Sequence, residues 1–283
     1  MEFRNLEHCD FNTLFNGFER AFADYEIHFE KEEIRSMLKR RGFNPKLSFA
    51  YFEDGEIVAF TLNGTGIFNN LPTAYDTGTG TVKEFRGKGL AGEIFTRSIP
   101  FLKESGIKQY LLEVLKNNQK AINIYSKQGF NVTREFDCFR QSLNNVTPLI
   151  NNEKANFIIN PISFEAVLHG QNYCDFNPSW QNSIDSIKRG KSELINFGAL
   201  VDGDIVGFCV LDSSTGDLTQ IAVKRDFRGR GIGSRLLHEA LSHMKTNFIK
   251  VLNVSSTDQS LHSFLENRNI VLASKQLEMN LIF

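Results

Sequence analysis

Two short strings in this 283-residue chain have the composition of an anion cradle. Arg86-Gly87-Lys88-Gly89-Leu90-Ala91 lies in the first half, and Arg228-Gly229-Arg230-Gly231-Ile232-Gly233 in the second. In each case a strand-like segment precedes the string and a helix-like segment follows it. A strand that feeds a helix through R-x-x-G-x-G/A presents the unpaired N–H groups and partial positive charge of a helix N-terminus. The glycines let the backbone approach a diphosphate with no Cβ in the way. Lys83, Arg86 and Lys88, and in the second half Lys224, Arg225, Arg228 and Arg230, add cations that attract phosphate. One such loop is equally a tight turn with solvated charges. Two in the same setting point to phosphate binding by at least one.

Other chemistries fit less well. Gly87-Lys88-Gly89-Leu90-Ala91-Gly92 also matches G-x-G-x-x-G. That fingerprint opens a βαβ unit from its first strand, whereas here a hairpin and at least one helix come first. Gly190-Lys191-Ser192 matches the end of a P-loop, but the earlier glycine it needs falls at Asp185. Cys9, Cys138, Cys174 and Cys209 form no C-x-x-C pair, and neither they nor the six histidines show metal-ligand spacing. No metal is expected, and reduced thiols in a cytoplasmic protein are. The sequons at Asn131 and Asn145 then carry no meaning.

The elements that position the loops recur in order. Asp54-Gly55 and Asp202-Gly203 each sit between apolar runs, which reads as a β-hairpin with a tight primed turn. The glycine loops are 142 residues apart (228 minus 86) and the hairpins 148 (202 minus 54). The first half therefore carries about six extra residues between hairpin and loop, near Asn69, Asn70 and Pro72. Two matched pairs in one order imply a duplicated domain. Strands are expected at 75–82 and 218–223 before the loops and at 110–115 and 250–254 after the helices. Ile232, Leu236, Leu237, Ala240, Leu241 and Met244 form one apolar helix face. The first-half helix starts at Leu90 and Ile94, and Pro100 is expected to bend or end it. The polar stretch 144–152, with Pro148, reads as a linker. The expected organisation is two α/β domains, 1–146 and 147–283, each a twisted mixed sheet flanked by helices.

Charge narrows the partners. Lys and Arg number 32 against 33 Asp and Glu, for a net charge of −1, which argues against nucleic acid. No apolar run approaches the roughly 20 residues that span a bilayer, and Met1–Asp10 has no secretory character. A cytoplasmic chain with no membrane partner is expected.

With these elements in place, the sequence resembles the GNAT N-acetyltransferase superfamily in tandem form. In that family R-x-x-G-x-G/A is the acyl-CoA pyrophosphate loop. A second signature, N-x-x-A-x-x-x-Y-x-x-x-G-F, is met by Asn118, Ala121, Tyr125, Gly129 and Phe130 after the strand ending Leu112-Glu113-Val114. The resemblance covers about 54–143 closely and 200–265 more loosely. It implies two parallel strands that splay to admit the pantetheine arm of acetyl-CoA. The cofactor grip would be the backbone of Arg86, Gly87, Lys88, Gly89, Leu90 and Ala91 with the strand edge at Thr81 and Val82. Its second-half counterpart would be Val223 with Arg228, Gly229, Arg230, Gly231, Ile232 and Gly233. Asn118 would bond the pantetheine or hold local backbone. Tyr125, protonated at neutral pH, is the implied general acid.

The second half departs from the pattern. Phe264 follows Ser260 by four residues as Tyr125 follows Ala121, and a phenyl ring donates no proton. The Gly-Phe pair is also missing near Arg268, Asn269 and Ile270. Catalysis is therefore expected in the first half, with the second degenerate. The family often places a basic carboxylate about eleven residues before the loop arginine. That position is Asp217 in the second half and Tyr75 in the first, with Asp76 adjacent. Asp76 serves only if a bulge intervenes, since a one-residue shift turns a strand side chain to the other face. Glu113 or a water chain is the alternative base.

Phe11, Phe15, Phe18, Phe22, Tyr25 and Phe29 suggest either an acceptor wall or ordinary core. Glu26, Glu30, Glu32 and Glu33 suggest either attraction for a cationic amine or a solvated helix face. Ser179–Ser183, with the single Trp180, is expected to open a helix. The expected activity is acetyl transfer to a primary amine of a small molecule or peptide by direct attack in a ternary complex, in a monomer or weak homodimer. The alternatives are an acyl-CoA-binding sensor and, weakly given the charge, a transferase using aminoacyl-tRNA.

Overall fold

The computed structural model describes residues 1–24, 30–147 and 156–283. Tyr25, Glu26 and Phe29, and residues 148–152 of the expected linker, lie outside the described residues. The chain forms two compact units: Met1–Val114 with Asn118–Thr133 and Glu278–Phe283, and Leu115–Asn117 with Arg134–Leu277. A single cut at 146/147 does not separate them, because each unit takes strand residues from the other half of the sequence.

In chain order the elements are β1 (Glu2–Asn5), α1 (Phe11–Ala21), α2 (Lys31–Arg41), β2 (Phe49–Glu53), β3 (Glu56–Phe68), β4 (Leu71–Thr81), α3 (Leu90–Glu104), β5 (Gln109–Leu115), α4 (Gln119–Lys127) and β6 (Asn131–Ser142). They continue with β7 (Ile158–Pro161), α5 (Phe164–His169), α6 (Ile184–Arg189), β8 (Ile195–Val201), β9 (Asp204–Asp212), β10 (Asp217–Val223), α7 (Ile232–Ser242), β11 (Phe248–Ser255), α8 (Gln259–Glu266) and β12 (Val271–Ile282). The sheets are mixed, as expected for this fold class: β1 to β4 run antiparallel in turn, and β4 pairs parallel with β5. The second unit repeats this with β7 to β10 antiparallel and β10 parallel to β11.

Local chemistry accounts for the elements. Asp54-Gly55 and Asp202-Gly203 all have positive φ, the primed turn that joins β2 to β3 and β8 to β9. The six extra residues lie in the β3–β4 hairpin, whose strands of 13 and 11 residues exceed the 9 and 7 of β9 and β10. Asn69 and Asn70, both at positive φ, form its tip. α3 continues through Pro100 to Glu104 instead of ending there. The cost is the one helical bond that the missing N–H would have given to the Thr96 carbonyl. Trp180 opens a three-residue 3-10 turn rather than a helix, and α6 starts at Ile184.

The apolar faces close separate cores. In the first unit Leu6, Phe18, Ile34, Leu38, Phe60 and Leu62 are buried together. Phe11, Phe15 and Phe22 pack against them, so the described aromatics of this stretch are core. In the second, Phe139, Leu211, Leu236, Leu237, Ile249 and Leu265 are buried with Val146. Val146 thus ties the start of the expected linker into a core, and the Thr147 amide bonds the Arg268 carbonyl. Each fully buried Leu or Phe contributes about 1.5–3 kcal/mol. Glu30 and Glu33 make a capping box at the start of α2, and Glu32 pairs with Arg35. These acids support a helix end.

Candidate active site

Parallel pairing of β4 with β5 stops at Tyr75↔Leu111, although β4 runs on to Thr81 and β5 to Leu115. The strands separate there. A cavity of about 490 Å³ opens at that point, lined by Asp76, Thr79 and Thr81 of β4, the loop before α3, and one face of α4. In the second unit β10 and β11 pair at Asp217↔Lys250 only, and a cavity of about 460 Å³ lies in the corresponding place.

The loop of the first unit is set by Gly87 and Gly89, at φ of +80° and +78°. A Cβ at either would meet nothing within 4 Å, so the requirement is conformational. Gly89 is the N-cap of α3, and the first helical bond runs from the Glu93 N–H to the Gly89 carbonyl. The N–H groups of Leu90, Ala91 and Gly92 therefore have no intrahelical partner. These residues line the cavity together with Arg86, Gly87 and Gly89. Gly229 and Gly231 repeat the geometry at +74° and +84°. They line the second cavity with Val223, Arg228, Ile232 and Gly233.

The arginines depart from expectation. The Arg86 guanidinium donates from Nε to the Thr81 carbonyl and from Nη2 to the Ala21 carbonyl, and it grips both Asp24 carboxylate oxygens at 2.6 and 2.7 Å. Arg228 likewise bonds the Val223 and Tyr173 carbonyls and pairs with Asp175 at 2.6 Å. Both fasten protein to protein. Lys88 lies over the Phe85 ring and Arg230 over Phe227, and neither lines its cavity. The cradle is backbone.

Asp76 reaches the first cavity through a bulge. Leu62 pairs with Gly78 and Asn63 with Asp76, which leaves Thr77 as an extra residue. The alternation is re-phased, so that Asp76 lines the cavity with Thr79 and Thr81. Its carboxylate accepts the Gly78 N–H and the Thr79 hydroxyl, each at 2.9 Å. Burial raises its pKa to about 6, against the lowering effect of those bonds and of Arg41. Tyr75 instead donates its hydroxyl to Glu113 at 3.1 Å, and neither residue lines the cavity. Tyr125 does line it. Burial first, and the Asp76 charge second, hold its hydroxyl well above the usual tyrosine range.

Besides Lys88 and Arg230, two further expected contacts are absent from the lining. The Asn118 side chain accepts the Ala121 N–H and caps α4, so of its two expected roles it fills the backbone one. Val82 is buried, with its N–H on the Val58 carbonyl. Thr61, Thr79, Phe85, Phe95, Tyr110, Lys120, Ile124 and Gln128 line the cavity without having been singled out by sequence. Only the alternation of Thr79 and Thr81 and the helical spacing of Ala121, Ile124, Tyr125 and Gln128 could have signalled any of these.

The caps fix how the units correspond. Asp258 caps α8 by accepting the Leu261 N–H, as Asn118 accepts that of Ala121. The Ile270 N–H bonds the Leu265 carbonyl, as the Phe130 N–H bonds that of Tyr125. Leu265, not Phe264, thus stands in the place of Tyr125, and Phe264 in that of Ile124. Asn269, at positive φ, replaces Gly129. In β10 the extra residue is Thr219, nine before Arg228 as Thr77 is nine before Arg86. Leu218 therefore matches Asp76. Asp217 matches Tyr75 and does not line the cavity. Both leucines are fully buried, so the second unit has apolar side chains where the first has Asp76 and Tyr125. Burial there pushes the Cys174 thiol up to about 11, which keeps it neutral. Among the described residues no group of His, Cys, Asp and Glu could hold a metal ion, and no helix is long and apolar enough to cross a membrane.

The chain is similar to known proteins. The profile of the Acetyltransferase (GNAT) family matches residues 11–130 and 165–269. A curated relative, "N-alpha-acetyltransferase MAK3" of Arabidopsis thaliana, is 31% identical over 86 residues, which are 30% of this chain and 45% of that protein. The chain thus spans under half the length of that relative. A tandem GNAT protein from the clavulanic acid biosynthesis pathway superposes with a TM-score of 0.75 at 11% identity, covering 99% of this chain and 98% of that one. A GCN5-related N-acetyltransferase from Sphaerobacter thermophilus gives 0.70 at 14% identity, covering 99% and 95%. At such identities the likeness is one of fold. On the two matched regions, the chain belongs to the GNAT acetyltransferase family.

Proposed function

We propose that the protein is an acetyl-CoA-dependent N-acetyltransferase, with its chemistry in the first unit and a primary amine as acceptor. One observation carries the reading: Asp76 and Tyr125 line the same cavity as Thr81 and the αL-glycine loop of residues 86–92. The residues present suit acetyl-CoA. The N–H groups of Leu90, Ala91 and Gly92 suit a diphosphate, and the unpaired edge of β4 beyond Tyr75 suits a pantetheine chain. Acetyl-CoA supplies a thioester acyl carbon open to attack.

Asp76, ionised above about pH 6, takes the proton from the acceptor ammonium so that the nitrogen lone pair is free. Tyr125 keeps its proton across the working range and gives it to the sulfur as the new N–C bond forms and the C–S bond breaks. The products are an amide and a thiol. The nitrogen sheds two protons in all, one to Asp76 before attack and one to solvent from the tetrahedral adduct. Asp76 has then gained one proton and Tyr125 lost one, and exchange with solvent restores both. The name of the curated relative makes a peptide α-amine one acceptor class, beside small-molecule amines. All four cysteines are free thiols, which suits a cytoplasmic setting, and one chain holds both units, which suits a monomer or weak dimer.

In the second unit, loop 228–233 is read as a diphosphate site without turnover, because Leu218 and Leu265 replace the reacting groups. The test is release of free CoA from acetyl-CoA with a panel of amines. Amine-dependent release that Tyr125→Phe slows supports the enzyme. Binding of acetyl-CoA with no amine-dependent release replaces it with an acyl-CoA-binding module.

A further inference from the structure

We infer that Asp24 and Asp175 are positioning residues that hold the two glycine loops in their open, anion-ready shape by clamping Arg86 and Arg228. For the first unit the inference rests on the reading of its loop as an acetyl-CoA site. The same three-point attachment occurs twice. Each guanidinium bonds the last carbonyl of the strand before the loop, Thr81 or Val223. Each bonds a carbonyl of a helical segment that lies between the first two strands of its unit, Ala21 of α1 or Tyr173 of the 3-10 turn after α5. Each is held by an aspartate two or three residues beyond that carbonyl, Asp24 or Asp175.

Ala21 and Phe18 of α1 are buried in the first unit's core with Phe60 and Val82, so the arginine fastens the loop to a fixed wall. An isolated exposed ion pair contributes little. A forked, bidentate pair that also satisfies two carbonyls fixes geometry, which a lysine cannot do. Arg86 holds the Asp24 carboxyl down to about 2. The second unit retains the brace although it has lost both reacting groups, so the brace serves the loop and not the chemistry.

The sign of one effect separates this role from simple electrostatics. Removing the Asp24 charge favours a bound anion if charge alone matters, and releases Arg86 to reach it. A brace predicts the reverse. The experiment is amide hydrogen exchange on the ligand-free full chain, comparing wild type, Asp24→Asn and Asp24→Glu, followed by calorimetric titration with acetyl-CoA. In Asp24→Asn, exchange at Phe85, Arg86 and Glu93, the hydrogen-bonded amides that flank the loop, should quicken and acetyl-CoA binding weaken, each about tenfold, while exchange in β3 stays unchanged. Asp24→Glu should recover most of both, and KM should rise for acetyl-CoA but not for the amine. Unchanged exchange at those flanking amides, or tighter binding in Asp24→Asn, overturns the inference. Should Asp24→Asn fail to fold, Asp175→Asn carries the same exchange test on Phe227, Arg228 and Arg235. A wild-type chain that binds no acetyl-CoA overturns the proposed function, and the exchange arm then decides the brace alone.

Discussion

Asp76 accepts the Thr79 hydroxyl at 2.9 Å across the one-residue bulge at Thr77, and this contact holds a half-buried carboxylate toward the cavity. The bond favours the ionised form, and burial opposes it more strongly, so the group titrates at about 6 instead of 3.8. The rate limited by the free enzyme, kcat/KM, should therefore rise as pH passes upward through about 6 and then level off. No falling limb should follow below pH 10, because Tyr125 stays protonated there. A profile flat between pH 5 and 8 would remove Asp76 as the base.

The same shift acts on stability, with a definite sign. A carboxyl whose folded pKa is raised penalises the fold where it is ionised and not where it is protonated in both states. The difference between 3.8 and about 6 corresponds to about 3 kcal/mol. The penalty is complete above pH 6 and vanishes as pH falls below 4. Asp76→Asn should consequently melt above wild type at pH 8, by up to about that free energy, and the gap should close toward pH 4. Thermal melts across that range check it.

Tyr125→Phe keeps the ring contact with Phe130 and removes only the hydroxyl. It should lower kcat by about 10²- to 10⁴-fold while acetyl-CoA still binds. Steady-state kinetics with calorimetry separates the two quantities. Equal loss of binding and rate would make the hydroxyl a binding group instead.

The glycine loops, the duplicated hairpins and the α4 signature were legible because each is local chemistry: αL positions, primed turns, a capped helix. What sequence spacing missed depends on strand phase and on contacts between distant residues. Counting eleven back from Arg86 reaches Tyr75, and only the bulge turns Asp76 into the cavity. Counting along α8 from Ser260 reaches Phe264, whereas the cap at Asp258 and the bond from Ile270 place Leu265 opposite Tyr125. The use of Arg86 and Arg228 as braces required aspartates 62 and 53 positions earlier, a relation with no sequence periodicity.

Gly89→Val tests the cradle. Its φ of +78° is strained for any side chain and worst for a β-branched one, at a cost of about 1–3 kcal/mol. Two equivalents of acetyl-CoA should bind wild type. Gly89→Val should abolish one of them together with amine-dependent release of CoA, leaving the equivalent assigned to 229–233. Binding of both equivalents to Gly89→Val would place the diphosphate elsewhere.

Gly64 tests the support beneath Asp76. It lies on β3 opposite Tyr75, and a Cβ there would sit 2.0 Å from the Arg41 carbonyl oxygen, a backbone atom with little room to yield. The Arg41 guanidinium in turn donates to the Thr77 carbonyl at the bulge, at 2.9 Å. Gly64→Ala should push the end of α2 away from β4 and destabilise the protein by at least about 2 kcal/mol, as overpacking against backbone does. It should also loosen the bulge and slow turnover in the fraction that stays folded. Denaturant unfolding gives the first quantity and kinetics at low temperature the second. A variant as stable as wild type would mean that α2 is not seated against β3 in the way that fixes Asp76.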